Sequence, residues 1–540
     1  MKSNLYIIIQ LFIIGLLSAG CDKQLDKQPL NQVSEGNYWT NANDAVMFAT
    51  QAYNFLPDQN FVYYEAFSDN AFSKSASINT FGNGTFTALN TGRDFDYASI
   101  RHCLLFLRDV DRVPNMDATL KARLSAEVKF VLAFRYFLMT SLYRDVPLVT
   151  KVFEKASDAN LPKNTRTEIV TQIISWLTEA IPALPAKYND AADNGRVTKG
   201  AAYALLSKVY LLTGDYANAA IQAKNIMDLN VYSLLPDYYS FFQEVGDYSS
   251  EDILSYGYAG LAGTPTANTM RNVLGSLLQL GNNLINPTSE LVGDYESNQG
   301  YYPFTSDPRY DVHAPWENLD SRLRATLFYP GAIEANPAFP PKNQFDPFND
   351  PGDGIGRDQG TNTGFSWTKN VQQSDWSKGQ NNSNNWKIFR YADVLLTFAE
   401  ATNEVSGPTQ DVIDAVNLIR ARAKMPTVQA TMTLRATPLT QQTMRDFIRH
   451  ERRIEMAGEG WRYFDILRWK IAEQVLNRDI YTVDASAGIS AISTSGGKVN
   501  TYPKTKIETR VFAAKNYVWP IPQSAIDASN GVLTQADEWK

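Results

Sequence analysis

The stretch Ile448–Trp469, IRHERRIEMAGEGWRYFDILRW, brings His450, Glu451, Glu455 and several arginines into one short run. Carboxylates beside a histidine are the raw material of general acid–base catalysis. Their spacing argues for something else. On a helix, Met444, Phe447, Ile448, Glu451 and Ile454 share a face, because they are separated by steps of three and four. Glu451 therefore falls in an apolar stripe, and Glu455 lies one turn further along the same helix. Two carboxylates so placed do not flank a scissile bond. A buried carboxylate is costly unless paired, so the expectation is a structural network with Arg422, Arg462 and Arg468 as partners. Gly458 and Gly460 then end the helix, and Trp461, Phe464 and Leu467 pack back on the scaffold.

Other chemistries find little support. The three histidines, His102, His313 and His450, are far apart, and no His-x-x-x-His or Cys pair occurs, so a transition-metal site is not expected. The Asp-rich run DPFNDPGDG offers oxygens to calcium but lacks the spacing of a calcium-binding helix–loop–helix. Calcium is the one cofactor left open, against a plain turn-rich loop. There is no Gly-x-Ser-x-Gly and no phosphate-cradling glycine loop. A net charge of −7 does not suit a nucleic-acid binder, which needs a basic face.

What remains is binding by aromatic faces. The chain holds 10 Trp, 28 Tyr and 27 Phe, many of them in polar, loop-like segments where a core does not require them. A pyranose has an apolar face of C–H groups and a fringe of hydroxyls. An exposed ring covers the face, and Asp, Asn or Arg satisfies the fringe. Two regions supply such groups. NFVYYEAFSDNAFSKSASINTFGNGTF has Tyr63, Tyr64, Asp69, Phe81 and Asn83, and GYYPFTSDPRYDVHAPWENLDSRL has Tyr301, Tyr302, Trp316 and Asn318. Trp367 and Trp376 are reserves. For each ring the alternative is loop anchoring, and for Asp69 it is a turn or cap role. A glycoside hydrolase is the last alternative, since no motif singles out its two carboxylates.

These groups need a scaffold, and the sequence describes a mainly α one with a large loop-rich irregular insertion. Residues 1–20 read as a signal peptide: a single early Lys2, then an apolar run too short for a confident membrane span, then LLSAGC. This ending resembles the bacterial lipoprotein pattern, in which Cys21 carries the lipid. Residues 21–42 form the lipidated start and tether. Residues 43–235 are helical and contain the ligand loop 60–93. Leu124, Val128, Val131, Phe134, Leu138 and Leu142 recur at helical spacing, and Thr165 with Glu168 forms a capping box. Leu206, Ser207, Tyr210, Gly214, Tyr216 and Ala219 fall at the spacing of a tetratricopeptide-like helix pair. Residues 236–387 are the insertion, rich in Pro, Gly, Asn and Asp. Helical periodicity returns in residues 388–540. Cys103, in an apolar run, is expected in the core.

Several motifs, in order, resemble one family. HERRIEMAGEGWRYFDILRW looks like the C-terminal signature of the SusD-like (RagB/SusD) outer-membrane lipoproteins of Bacteroidetes. RYADVLLTFAEATNEV and VNLIRARAKMP resemble its two preceding helices, CDKQLDKQP its lipidated start and YVWPIPQSAI its closing segment. IRHCLLFL resembles an N-terminal family helix, with Leu104 where Asn is usual. The resemblance implies helix pairs with loops on one face, and ligand contacts from the 60–93 neighbourhood and the insertion. It also implies no catalysis, a surface-exposed lipid anchor in the outer membrane, and capture of oligosaccharide for a SusC-like TonB-dependent transporter. The resemblance leaves peptide as the second candidate ligand, in place of glycan on the same scaffold.

Overall fold

The computed structural model describes residues 38–258, 268–311, 314–333, 344–371, 383–483 and 504–540. Residues 1–37 with Cys21, and also His313 and Trp376, lie outside the described residues. Helices dominate, and the main ones are labelled in chain order. α1 spans Ala42–Ala52, α2 Tyr97–Asp109, α3 Ala118–Tyr143, α4 Arg166–Ala180, α5 Lys199–Thr213 and α6 Tyr216–Asp228. α7 spans Tyr391–Ser406, α8 Gln410–Arg422, α9 Gln441–Met456 and α10 Arg462–Arg468. No described helix is long and apolar enough to cross a membrane.

Local rules place these helices. The Thr165–Glu168 capping box is formed and starts α4. Gly214, at φ +74°, takes the left-handed conformation that closes α5 and lets α6 fold back. Leu206, Ser207 and Ala219 are buried between these helices and their neighbours. α6 and α3 then continue the stack, α6 packing on α7 and α3 on α4. The stack is thus made of tetratricopeptide-like pairs. Its apolar core runs from Trp39 to Leu533 and includes Cys103, so the N- and C-terminal helices share one interior.

Sheet structure is sparse. Strand β1, Asp252–Tyr256, pairs antiparallel with β2, Trp386–Arg390, with Tyr256 opposite Trp386. This ribbon crosses the insertion and leads directly into α7. A 3-10 segment, Gln59–Phe67, opens the first predicted ligand loop.

Around α9 the structure shows a buried lattice of opposite charges. Glu451 faces inward as its spacing demands, but its partners are Arg322 at 2.6 Å and Arg420 at 2.8 Å. The expected partners serve other carboxylates. Arg422 binds Glu251 and Glu455, Arg462 binds Asp69, and Arg468 binds Glu400 and Asp465. Glu455 sits among Arg322, Arg390 and Arg422. Burial opposes its charge, but the three guanidiniums outweigh burial and hold its carboxyl well below the ordinary range. These side chains are committed mainly to one another, which gives them a structural role.

Candidate ligand-binding surface

The base of the 60–93 loop is tied to the turn after α9. Glu65 accepts the backbone N–H of Gly460 at 2.7 Å and of Glu459 at 3.0 Å. Gly460 has φ +82°, and a Cβ there would lie 2.5 Å from the Phe61 carbonyl oxygen. Only glycine allows this close approach. Asp69 belongs to the same clamp: Arg462 binds it at 2.8 Å and Arg453 at 3.1 Å. Burial opposes its charge, and Arg453 and Arg462 more than compensate, holding its carboxyl well below the ordinary range.

This geometry corrects four of the expected ligand residues. Asp69 lies in the turn 68–70, the alternative role expected for it, and its carboxylate is buried in ion pairs, so it is not a ligand group. Tyr64 is buried among Phe61, Phe67 and Phe464, and its hydroxyl donates to Asp94. Phe81 is buried against Phe67 and Trp519, with ring centroids 4.7 and 4.5 Å away. Trp316 is buried and stacks on Tyr329 at 4.7 Å. None of these three rings keeps an open face, because remote segments close over them. The reserve Trp367 is fully buried as well.

The other five residues stay nearer solvent and divide by role. Asn83 accepts from the N–H and hydroxyl of Thr85, closing a turn. Asn318 is exposed at φ +59°, and its carbonyl accepts the Asn298 N–H at 2.7 Å. Tyr302 is exposed, yet its hydroxyl donates to Asp294 at 2.9 Å, and its ring lies 5.0 Å from His450 and 5.6 Å from the Arg435 guanidinium. It tacks its loop onto α9. Tyr301 and Tyr63 are half-buried, and their hydroxyls have no hydrogen-bond partner among the described residues.

Tyr63 is accompanied by groups that sequence reasoning did not select. The Arg93 guanidinium lies 5.6 Å from its ring centroid, and Arg93 Nη2 donates to the Asn60 carbonyl. Asp58 accepts from Asn60 twice, at 2.9 Å. Burial raises the pKa of Asp58, against the pull of Asn60 and Arg93. At the end of β1, Tyr256 pairs with Tyr258 at 5.1 Å and 42°. Tyr258 accepts the Gln59 N–H at 3.0 Å, which joins the ribbon to the 60–93 loop. The Tyr256 hydroxyl has no hydrogen-bond partner among the described residues and feels the Asp58 carboxylate, which with burial raises its pKa. The result is a half-buried surface of Tyr63, Tyr256 and Tyr258 rings with a carboxylate and a guanidinium between them. The sequence signal was the Tyr-Gly-Tyr alternation leaving an apolar strand.

The Asp-rich run 346–354 spends its carboxylates on backbone amides. Asp346 accepts from Phe348 and Asn349, and Asp350 from Gly352 and Asp353. Asp353 accepts from Leu277 at 2.6 Å. These are turn and loop-anchoring bonds. Among the described residues no cluster of His, Cys, Asp or Glu is arranged to hold a metal ion.

Residues 250–539, more than half the chain, match the SusD family. The chain belongs to the SusD family. Residues 22–211 match a second family, described as starch-binding and associating with the outer membrane. Among curated relatives, SusD-like protein P25 of Formosa agariphila is 24% identical over 87% of this chain and 90% of its own length. SusD-like protein P2 of the same organism is 25% identical over 67% of this chain and 68% of its own length. Among solved structures, a SusD-like carbohydrate binding protein from Bacteroides fragilis superposes with a TM-score of 0.80 at 27% identity, covering 92% of this chain and 99% of its own. A laminarin binding SusD-like protein shares the fold at TM-score 0.65 and 21% identity, over 92% and 100% of the two chains.

Proposed function

We propose that this SusD family member is a non-catalytic glycan-binding protein that takes oligosaccharide on the Tyr63–Arg93–Asp58–Tyr256–Tyr258 surface. The observation that carries the reading is that surface itself: half-buried rings, two of which (Tyr63 and Tyr256) have hydroxyls without a hydrogen-bond partner among the described residues, beside a carboxylate and a guanidinium, a combination that serves both the C–H face and the hydroxyl fringe of a sugar. Kinship with a SusD-like carbohydrate binding protein supports it. With each stacking contact contributing about 0.5–1.5 kcal/mol, two or three contacts give weak, reversible capture. Weak capture suits a protein that hands its cargo on.

The reading extends to place and partner. Cys21 carries acyl chains that anchor the chain at the outer membrane, facing outward, and the cargo passes to a SusC-like TonB-dependent transporter. The LLSAGC pattern and the match to an outer-membrane-associating family support this part. Calorimetry of the purified chain against a broad glycan panel tests the binding claim. Binding of at least one oligosaccharide, weakened in Tyr63→Ala with Tyr256→Ala, is expected. Silence across the panel, or peptides retained on purification in place of any glycan, would overturn it.

A further inference from the structure

A cleft of about 170 Å³ opens between the 186–198 segment and the 231–255 segment that runs into β1. It is small beside the roughly 300–1,000 Å³ of ordinary ligand pockets, a size that suits one sugar ring and not a chain. The groups that matter on its walls are Lys187, Tyr188, Asn194, Tyr232, Tyr248 and Ser250. A Cβ on Gly257 would come within 3.0 Å of the Tyr248 hydroxyl, so the chain after β1 passes close to Tyr248. Neither Tyr256 nor Tyr258 belongs to the lining of this cleft.

Tyr248 is the unusual residue here. It sits at φ +56° in the left-handed region, where a bulky side chain is strained, and it is 45% exposed. The fold holds it there: its N–H donates to Asp252 Oδ2 at 3.0 Å, and Asp252 is fixed by Lys387 at 3.2 Å. Gly195, itself at φ +83°, keeps the edge of the ring clear, since a Cβ there would lie 3.2 Å from Cε1. Strain maintained in order to present an apolar ring to water points to a contact made elsewhere. The other two walls are rigid. Tyr188 bonds Glu127 and the Val197 carbonyl, and Tyr232 bonds Thr198 at 2.9 Å.

Charge selects the ligand class. Arg196 is neutralised by Glu127 at 2.9 Å and Asp193 at 2.8 Å, and Asp252 by Lys387. That leaves Lys187 as the wall charge without an ion-pair partner among the described residues, beside an amide and hydroxyls. An ammonium, an amide and hydroxyls disfavour a cation and offer the donors and acceptors that the hydroxyl fringe of a sugar ring needs.

We propose that this cleft is a second saccharide site, holding a single pyranose ring against Tyr248. It rests on the glycan-binding reading but uses separate residues, so each fails on its own. The test is hydrogen exchange on the full chain with free single rings: methyl α-glucoside, methyl β-galactoside, methyl α-mannoside and N-acetylglucosamine. At least one is expected to protect amides in 193–198 and 248–252. Tyr248→Gly removes the ring and relieves the strained backbone, so the variant stays folded. It should weaken that protection between about twofold and tenfold, while Tyr256→Ala leaves it unchanged. No protection by any of the four, or protection that survives Tyr248→Gly, overturns the second site. Oligosaccharide binding at Tyr63 and Tyr256 would then still stand or fall by calorimetry.

Discussion

The carboxylate–arginine lattice around α9 and the tyrosine surface at Tyr63, Tyr256 and Tyr258 use opposite strategies. In the lattice nearly every charge is buried and answered, often more than once, as Glu455 is by Arg322, Arg390 and Arg422. On the surface, side chains are left unanswered, as are the hydroxyls of Tyr63 and Tyr256. A group whose bonds are all made internally positions other groups. A group held in place with bonds to spare can bind. Glu65 and Gly460 connect the two regions, because the clamp at the foot of the loop is built from the lattice side.

The largest effect should come from leaving lattice charges unpaired. Glu455→Gln removes the charge between three buried guanidiniums, and breaking a buried pair from one side costs about 3–5 kcal/mol. Urea denaturation should show a loss of that size. A loss below about 1 kcal/mol would mean that the lattice does not hold α9 in place.

Acid attacks the same region. Glu400 is buried against Arg468 and Trp469 Nε1. Burial opposes its charge, but Arg468 outweighs burial and lowers the carboxyl to about 2. Its stabilisation is fully present above the unfolded value near 4.3 and is lost as pH falls from there toward 2. That window contributes on the order of 3 kcal/mol. Stability followed by circular dichroism should fall steeply below about pH 4.3, and Glu400→Gln should flatten the fall. An equal slope in wild type and variant would remove Glu400 from the account.

Gly460→Ala probes the joint between the regions. The new Cβ takes on the left-handed penalty and meets the Phe61 carbonyl, for a cost of about 2 kcal/mol. Because Phe61 lies in the segment that carries Tyr63, glycan affinity should fall together with stability. A stable variant that still binds fully would show that the loop does not need the clamp.

How far the sequence showed these regions differs between them. Helices were legible because periodicity and caps are local: the Thr165–Glu168 box and the Gly214 turn were readable and are present. The inward face of Glu451 was legible for the same reason. Its partners were not. Arg322 lies in the insertion, and only the tertiary fold brings it beside α9. The same limit misplaced the ligand rings. Tyr64, Phe81 and Trp316 stand among polar residues in sequence, yet Phe464, Trp519 and Tyr329 cover them from elsewhere in the chain. Tyr256 and Tyr258 lie in the same insertion, and only the pairing of β1 with β2 and the Gln59 N–H bond to Tyr258 bring them beside the 60–93 loop.

The smallest effect is the one that decides function. Tyr256→Ala should leave the unfolding midpoint nearly unchanged, because the ring is half-buried and its hydroxyl has no hydrogen-bond partner among the described residues. Glycan affinity should fall between about twofold and tenfold, the worth of one stacking contact. Tyr302→Ala is the matched control. Its ring is more exposed, but its hydroxyl is spent on Asp294 and its loop is fastened to α9. It should cost stability through the lost anchor and leave glycan affinity where it was. Exposure alone would rank Tyr302 above Tyr256 as a ligand residue, whereas unspent bonding capacity ranks them the other way. Calorimetry on the two variants therefore separates the two criteria. If Tyr302→Ala loses affinity and Tyr256→Ala keeps it, the rule that divides lattice from surface fails.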